Sequence, residues 1–251
     1  EKRGYNMIQA ILWDVDGTLL DFKKSEEYGI RACMKEIGFD DVDEEMLTRY
    51  EKINRSYWEA LERGEITKQE VLIGRFKTFF AQEGICCPDV AAFNDSYQRK
   101  LGEIFFEKEN SLEIIRNLHG RVKQYVVTNG TVVAQRAKLE KSGLGAYMDG
   151  VFISDEIGTE KPGIGFFTPI FAVLQGIEKK DVLIVGDSLT SDMRGGNNAG
   201  FCCCWYNPNR LKNETDVRVD CEIHSLNEIE AVLRGFSLCE SDSQVRFVNA
   251  V

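Results

Sequence analysis

The chain has 251 residues, of which 43% are hydrophobic, and a formal net charge of -10 at pH 7. This length is enough for one large domain or two smaller ones with buried cores. The acidic balance argues against a nucleic-acid polymer or an anionic membrane as the main partner, because both bind basic surfaces. No apolar run approaches the roughly 18 residues of a membrane span, and the apolar stretch before Asp14 ends too soon for a secretory signal. We therefore expect a cytoplasmic protein.

The cysteines and histidines do not form a metal-binding pattern. Most of the eight cysteines are packing candidates, because Cys86-Cys87 and Cys202-Cys203-Cys204 are adjacent runs and no CxxC pair occurs. The two histidines, His119 and His224, stand far apart in the sequence. We expect reduced, packed cysteines rather than a disulfide framework or a zinc site.

The first predicted strand, Met7 to Trp13, is apolar enough to be buried on both faces of a sheet. Asp14, Val15, Asp16 and Gly17 follow it, and the glycine allows the chain to turn. If the strand continues, the two carboxylates point the same way, roughly 7 Å apart. An ordinary turn with two solvated aspartates explains the same residues, so the rest of the chain must decide.

From Lys23 to about Phe106 the apolar residues recur at helical spacing. Two helices are predicted before a third, which begins at a capping box of Thr67 and Glu70 and runs through Phe80. A fourth runs from Asp89 or Val90 to Phe106. The block contains no convincing strand, which predicts an all-helical insertion.

After Arg121, short apolar strands alternate with helices, a pattern typical of a parallel α/β sheet with doubly wound, Rossmann-like topology. Pro169 conflicts with a mid-helix position, so its helix is expected to begin just before it. The residues 1–6 and about 237–251 are expected to be flexible. The predicted strands are Gln124 to Thr128, Gly150 to Ser154, Asp181 to Val185, Gly200 to Tyr206 and a weak one at Asp220 to Ile223; the predicted helices are Val132 to Ser142, Phe166 to Leu174, Asp192 to Ala199 and Leu226 to Leu233.

Polar motifs follow several of these strands, and ligands of such sheets gather at the carboxyl ends of the strands. Thr128 and Asn129 end one strand and suit a phosphate, although a cap and turn would use the same residues. Lys161 lies in a later loop, where a lysine is commonly solvated. Asp187 and Asp192 follow the apolar VLIV; paired aspartates suit magnesium, and Asp192 also suits a helix N-cap.

Together and in this order, the motifs resemble those of the haloacid dehalogenase superfamily of phosphohydrolases: DxDGT, then Thr or Ser after the second motif strand, then Lys, then GDxxxxD. The resemblance covers nearly the whole chain, and the helical block sits where the family carries a C1-type cap. It implies a discontinuous α/β core at 1–20 and 108–251 and a helical cap at 21–107. More narrowly, VTNGTVVAQRAKLEKSGL, GDSLTSDMRGGNNAG and CWYNPN are similar to pyrimidine-type 5'-nucleotidases of this superfamily.

The resemblance also implies a mechanism. Asp14 attacks phosphorus and forms an aspartyl phosphate, while Asp16 protonates the leaving oxygen and then activates water. Lys161, Thr128 and Asn129 bind the phosphate. The implied partner is a small-molecule phosphomonoester, and the chain is expected to be a monomer or weak homodimer.

The implied cofactor is Mg²⁺, held by Asp14, the Asp16 main-chain carbonyl and Asp187. Thr18 and Asp192 are assigned supporting roles, Thr18 bracing Asp16. Two alternatives stay open: a sugar-phosphate phosphatase or phosphomutase with the same residues, and a non-catalytic binding module on the same fold. The second is disfavoured because such modules usually lose Asp14, Asp16 or Lys161.

Overall fold

A computed structural model describes residues 7–238 of the chain. The expectation of flexible ends at 1–6 and beyond 238 therefore lies outside the described residues. Within the described part the chain forms two compact units. The sheet unit comprises residues 7–21, Glu107–Gly130 and 142–238, and the helical unit comprises Phe22–Phe106 and Thr131–Lys141. Thr131–Lys141, grouped with the sheet by its sequence, thus clusters with the helices.

Six parallel strands form a single sheet in the order β3-β2-β1-β4-β5-β6, which confirms the predicted doubly wound α/β core. The first strand lies in the middle, with the chain winding outward on both sides of it. Its carboxyl end is therefore next to the point where the strand order reverses, which is where such sheets bind ligands. The strands are β1 (Ala10–Trp13), β2 (Lys123–Thr128), β3 (Gly150–Ile153), β4 (Val182–Gly186), β5 (Cys202–Tyr206) and β6 (Cys221–Ile223).

The described residues contain ten α-helices, which agree with most of the predicted helices. Shorter 3₁₀ or π segments occur at Leu144–Tyr147, Lys179–Asp181, Leu189–Met193 and Leu226–Glu228. The α-helices are α1 (Phe22–Glu36), α2 (Glu44–Glu62), α3 (Lys68–Glu83), α4 (Val90–Glu103), α5 (Ser111–Leu118), α6 (Val132–Ser142), α7 (Ser154–Ile157), α8 (Ile164–Val173), α9 (Arg194–Ala199) and α10 (Ile229–Leu238). None of the helices in residues 7–238 is both long and apolar enough to cross a bilayer.

The central strands are buried on both faces, as their continuous apolar sequence predicts. On one face Phe166, Phe167 and Phe201 pack against β1, β2 and β4. On the other face the Trp13 Nε1 donates to the side chain of Gln124, whose amide in turn donates to the Ile115 carbonyl of α5. The sheet is thus fixed from both sides, and its strand ends are held in place.

Three helices differ from the sequence predictions. Helix α7 lies in a segment that was predicted to be a loop after the strand ending at Ser154. Helix α5 was not predicted, because its eight residues are too few for a clear period, although buried Ile115 and Leu118 are three apart. Helix α8 begins at Ile164, so the expectation that it starts just before Pro169 is wrong. Pro169 lies in the second turn, where it has no N–H to donate. The apolar packing of Phe166, Phe167 and Ile170 holds the helix despite this loss.

The helical unit contains a core of stacked aromatic rings and a buried polar network. Thr67 and Glu70 form the predicted capping box at the start of α3. Arg75 of α3 is only 1% exposed. Its guanidinium donates to Asn54 at 2.8 Å and to Asn94 at 3.3 Å.

The network ends at a buried carboxylate. Asn54 donates to Glu26 Oε1 at 2.6 Å, so this amide joins Glu26 to Arg75 without a direct ion pair. Burial raises the pKa of Glu26 to about 7, although the charge of Arg75 opposes the rise. The guanidinium also lies 4.7 Å from the centre of the Phe76 ring and 5.2 Å from that of Tyr97.

Candidate active site

Three strand ends bring polar side chains to one edge of the sheet unit. Asp14 follows β1, Thr128 ends β2, and Asp187 follows β4. The Asp14 N–H donates to the Val185 carbonyl at 2.9 Å, which continues the β1–β4 pairing beyond the last paired residue. Parallel pairing thus places the two aspartate-bearing loops side by side.

Lys161 joins this edge through three hydrogen bonds. Its Nζ donates to Asp14 Oδ1 at 2.9 Å, to Asp192 Oδ1 at 2.6 Å and to the Val127 carbonyl at 2.8 Å. The lysine side chain is 1% exposed. The expectation of a solvated loop lysine is therefore excluded for this structure. The ammonium instead fixes the rotation of two carboxylates from different strands.

Asn129 positions the backbone of the lysine loop. Its Oδ1 accepts from the Lys161 N–H at 2.8 Å, and its Nδ2 donates to the Lys161 carbonyl at 2.9 Å. The Nδ2 also donates to Ser191 Oγ at 3.3 Å. Thr128 is 1% exposed, and its hydroxyl accepts from the Gly130 N–H at 3.1 Å. The Asn129 side chain therefore aligns Lys161, a role that its sequence did not indicate.

Asp14, Asp187 and Asp192 form a group of carboxylates. One oxygen from each lies within 4.8 Å of the other two; Asp14 and Asp192 are buried, whereas Asp187 is exposed. Two glycines make this approach possible. A Cβ at Gly17 would lie 2.4 Å from Asp187 Oδ2, and a Cβ at Gly186 would lie 2.2 Å from Asp192 Oδ2. Any side chain at either position would displace a carboxylate.

The three carboxylates make this part of the protein electrostatically negative. Burial raises the pKa of Asp14 well above its ordinary value, Lys161 lowers it, and Asp192 and Asp187 raise it further. Burial alone would lower the pKa of Lys161, but Asp14 and Asp192 outweigh it and raise the pKa. Desolvation at the strand ends and the charge of Asp192 raise the pKa of Asp187, while Lys108 lowers it. Solvent limits this effect, because Asp187 is exposed.

The residues present fit a magnesium ion. Three carboxylates face one ammonium, which leaves an excess of two negative charges when all are ionised. Oxygen ligands around such an excess suit a hard divalent cation. The side-chain oxygens that come together are those of Asp14, Asp187 and Asp192. The predicted set named Asp14, Asp187 and the main-chain carbonyl of Asp16, and gave Asp192 a supporting place.

Other groups hold the Asp187 loop. The Thr18 hydroxyl, assigned to Asp16 by the resemblance, lies 3.4 Å from Asp187 Oδ1. Trp205 Nε1 donates to the Asp187 carbonyl at 2.9 Å. The Ser188 N–H donates to Asp192 Oδ2 at 3.1 Å. The CWYNPN segment contains Trp205, but its contact with the Asp187 loop could not be predicted, because the β4–β5 register that places Trp205 beside Gly186 is a property of the sheet.

Comparisons with known proteins show what the whole chain is similar to. The model of the haloacid dehalogenase-like hydrolase family matches residues 8–200. A relative named as the HAD-hydrolase YfnB of Bacillus subtilis is 32% identical over 90% of this chain and 95% of its own length. The pyrimidine 5'-nucleotidase PynA of Streptococcus pneumoniae is 34% identical over 87% of this chain and 92% of its own length.

Two further comparisons extend this likeness. The pyrimidine 5'-nucleotidase YjjG of Escherichia coli is 26% identical over 89% of this chain and 96% of its own length. The crystal structure of YfnB, bound to magnesium, superposes with a TM-score of 0.86 over 90% of this chain and 99% of that one. In that protein the structure reveals interdomain movement.

Proposed function

The chain belongs to the family of haloacid dehalogenase-like hydrolases, and from this premise we propose that it is a magnesium-dependent phosphomonoester hydrolase. We propose further that it acts through an aspartyl phosphate on Asp14 and that its substrates are pyrimidine nucleoside 5'-monophosphates. The single observation that carries the reaction type is the bonding of Lys161 Nζ to Asp14 Oδ1 and Asp192 Oδ1.

The geometry supports Asp14 as the nucleophile. Its carboxylate is buried, and the bond from Lys161 to Oδ1 fixes its rotation. Phosphomonoester hydrolysis requires up to about 21 orders of magnitude of acceleration, or roughly 28 kcal/mol. A covalent intermediate divides that barrier in two. In the first step an Asp14 oxygen bonds to phosphorus, and the bond from phosphorus to the ester oxygen breaks.

Asp16 completes both steps as the acid and base. It gives a proton to the departing ester oxygen, which leaves as an alcohol, and then takes a proton from the attacking water. The water oxygen bonds to phosphorus, the bond to Asp14 breaks, and inorganic phosphate leaves. Gly17 allows the turn that carries Asp16, since its φ is +96°.

Lys161, Thr128 and the backbone N–H groups after it are the proposed phosphate ligands. Lys161 stabilises the charge that develops on the phosphoryl oxygens. Asn129 keeps the lysine loop in place through its two bonds to the Lys161 peptide. When bound at Asp14, Asp187 and the Asp16 carbonyl, with Asp192 close by, magnesium supplies the positive charge that allows an anionic nucleophile to approach an anionic phosphate.

The leaving group is proposed from the relatives. PynA and YjjG are both named pyrimidine 5'-nucleotidases, and each matches nearly the full length of this chain. A small phosphomonoester also suits the acidic chain, because the local ammonium and cation, rather than the overall charge, attract it. We propose a monomer or weak homodimer, with residues 21–107 serving as the cap.

The test is release of inorganic phosphate from a panel of substrates at equal concentration. UMP, dTMP, AMP and ribose 5-phosphate are compared with magnesium present and with the metal removed by a chelator. We expect kcat/KM to be highest for the pyrimidine nucleotides and activity to vanish with the chelator and return with added magnesium.

Each alternative function predicts a different result in this assay. Activity confined to ribose 5-phosphate would refute the nucleotidase assignment but keep the phosphatase. An isomerised sugar phosphate without free phosphate would indicate a phosphomutase. Full activity in the chelator would remove magnesium from the proposal, and a lack of turnover on every phosphomonoester would favour the binding module.

A further inference from the structure

Two cysteines face each other at the edge of the sheet. Cys204 of β5 is directly paired with Cys221 of β6 in parallel register. Side chains of paired residues in parallel strands leave the sheet on the same face. The Cys221 Sγ lies 4.0 Å from the carbonyl of Cys203, the residue before Cys204. Paired strands lie about 4.8 Å apart, within the Cα separation of roughly 4.4–6.8 Å that a disulfide requires.

The pair combines a buried thiol with an accessible one. Cys204 is 0% exposed, whereas Cys221 is partly exposed on the edge strand. The neighbouring cysteines, Cys202 and Cys203, have other contacts. The Cys202 thiol donates to the Lys180 carbonyl, and Cys203 points into the opposite core. An oxidant from solvent therefore meets Cys221 first, with Cys204 behind it.

A covalent bond at this short edge strand would close a loop of the chain. Strand β6 has three residues, and three residue pairs join it to β5. Residues 207–220, which precede it, contain no helix or strand. A bond between positions 204 and 221 would close this segment into a loop and remove much of its freedom in the unfolded chain.

We propose that Cys204 and Cys221 form an oxidation site, in which a hydroperoxide converts the pair to a disulfide that staples β6 to β5. The Cys221 sulfur attacks the peroxide, is oxidised to a sulfenic acid and releases water from hydrogen peroxide. The Cys204 sulfur then attacks the sulfenic sulfur, the S–O bond breaks, and a second water leaves with the Cys204 proton. A hydroperoxide is thereby reduced and two thiols are oxidised.

The second step, in which the disulfide closes, depends on the Cys204 thiol. The neighbouring Cys221 thiol and burial both raise the pKa of Cys204, so that it stays protonated at neutral pH. Oxidation is therefore expected to be faster at pH 8.5 than at pH 7.

The experiment treats the reduced full-length protein with hydrogen peroxide and follows its intact mass. We expect a loss of about 2 Da for the disulfide, reversed by a thiol reductant. Trypsin separates the two cysteines at Arg210, Lys212 and Arg218, so a non-reducing digest should contain a crosslinked pair of peptides. The melting temperature should rise by about 5–10 °C on oxidation.

Matched variants make the test specific. Cys221→Ser should lose the crosslink, while Cys86→Ser, which changes an exposed cysteine of the helical unit, should keep it. Cys221 lies at the edge, so reduced Cys221→Ser should melt within a few degrees of the parent protein. A crosslink from Cys202 or between chains, no crosslink at all, or an unchanged melting temperature after crosslinking would each overturn the proposal.

Discussion

Lys161 and Arg75 are both buried basic side chains, but the charged groups around them differ. Lys161 of the sheet unit bonds two carboxylates, Asp14 and Asp192, and Asp187 lies beside them. Arg75 of the helical unit bonds two neutral amides, and one carboxylate faces it through one of them. Negative charge is therefore in excess around the lysine, whereas the arginine has one nearby carboxylate, whose pKa is raised to about 7.

This difference in surrounding charge distinguishes a proposed catalytic site, at Lys161, from a structural network, at Arg75. An excess of charge raises the energy of the folded protein and is relieved when a cation or substrate binds. The Arg75 network has no such excess of negative charge and joins side chains of four helices, so it serves packing instead. Burial alone does not distinguish the two, because both basic side chains are 1% exposed.

Asp14→Asn should have the largest effect, and it tests the proposed catalytic role of the site around Lys161. The amide cannot form the covalent intermediate, so kcat should fall by about 10⁴-fold or more. Phosphate release at saturating substrate measures it. Asp95→Asn, which changes an exposed residue of α4, is the control and should turn over normally. Substantial steady-state activity in a clean Asp14→Asn preparation would refute Asp14 as the nucleophile.

Arg75→Met should act on folding. Removing the guanidinium takes a hydrogen-bond donor from Asn54 and Asn94 and a favourable positive charge from buried Glu26, which should cost about 3 kcal/mol in the free energy of unfolding. Urea denaturation measures the loss, and kcat of the folded fraction should stay within a few-fold of the parent value. If kcat instead fell 100-fold at unchanged stability, Arg75 would have a role in catalysis. The contrast drawn between Lys161 and Arg75 would then be wrong.

Lys161→Ala should affect both properties. We expect a loss of 100 to 1,000-fold in kcat, as for removal of one preorganised charge stabiliser. Asp14 and Asp192 would also lose their shared counter-charge, so binding of magnesium should tighten as measured by calorimetry. Lys180→Ala is the control, because Lys180 is exposed and forms an ion pair with Glu178 at the surface. Near-normal kinetics would contradict the proposed role.

Glu26→Gln should have the smallest effect, visible as a pH dependence. The folded-state pKa of Glu26 is about 7, above its ordinary 4.5. The neutral form therefore favours folding, and this contribution, about 3 kcal/mol at most, is complete below pH 4.5 and lost as the pH rises through 7. The parent protein should lose more stability than Glu26→Gln between pH 5 and 8 in urea denaturation.

The control for this series is Glu59→Gln, which changes an exposed carboxylate of α2. Its pH profile should follow that of the parent protein. Parallel profiles for all three proteins would show that Glu26 does not titrate in this range, which would refute the raised pKa assigned to it.

The sequence was most informative where local chemistry and topology agree. Apolar runs predicted the strands, and the polar residues at their ends predicted the edge that carries Asp14, Thr128 and Asp187. Parallel strands necessarily bring those ends together, so no long-range detail was needed. The capping box at Thr67 was likewise predictable, since its two partners are three residues apart.

What the sequence could not predict depends on contacts between distant residues. Lys161 and Asp14 are 147 positions apart, and nothing local distinguishes this lysine from a solvated one. Arg75 and Glu26 carry charges at helical positions, where exposed residues also occur, so their burial follows from packing alone. The interior position of Pro169 was missed for the same reason: tertiary packing offset a local preference.

The bond from Trp205 Nε1 to the Asp187 carbonyl links an indole ring to the backbone of a proposed magnesium ligand. An indole is fluorescent, and its emission responds to changes in its hydrogen bonding and polarity. The protein therefore carries its own optical reporter beside the cation site, on the same strand as the oxidation-prone Cys204. One emission spectrum would register events at the centre of the sheet and at its edge.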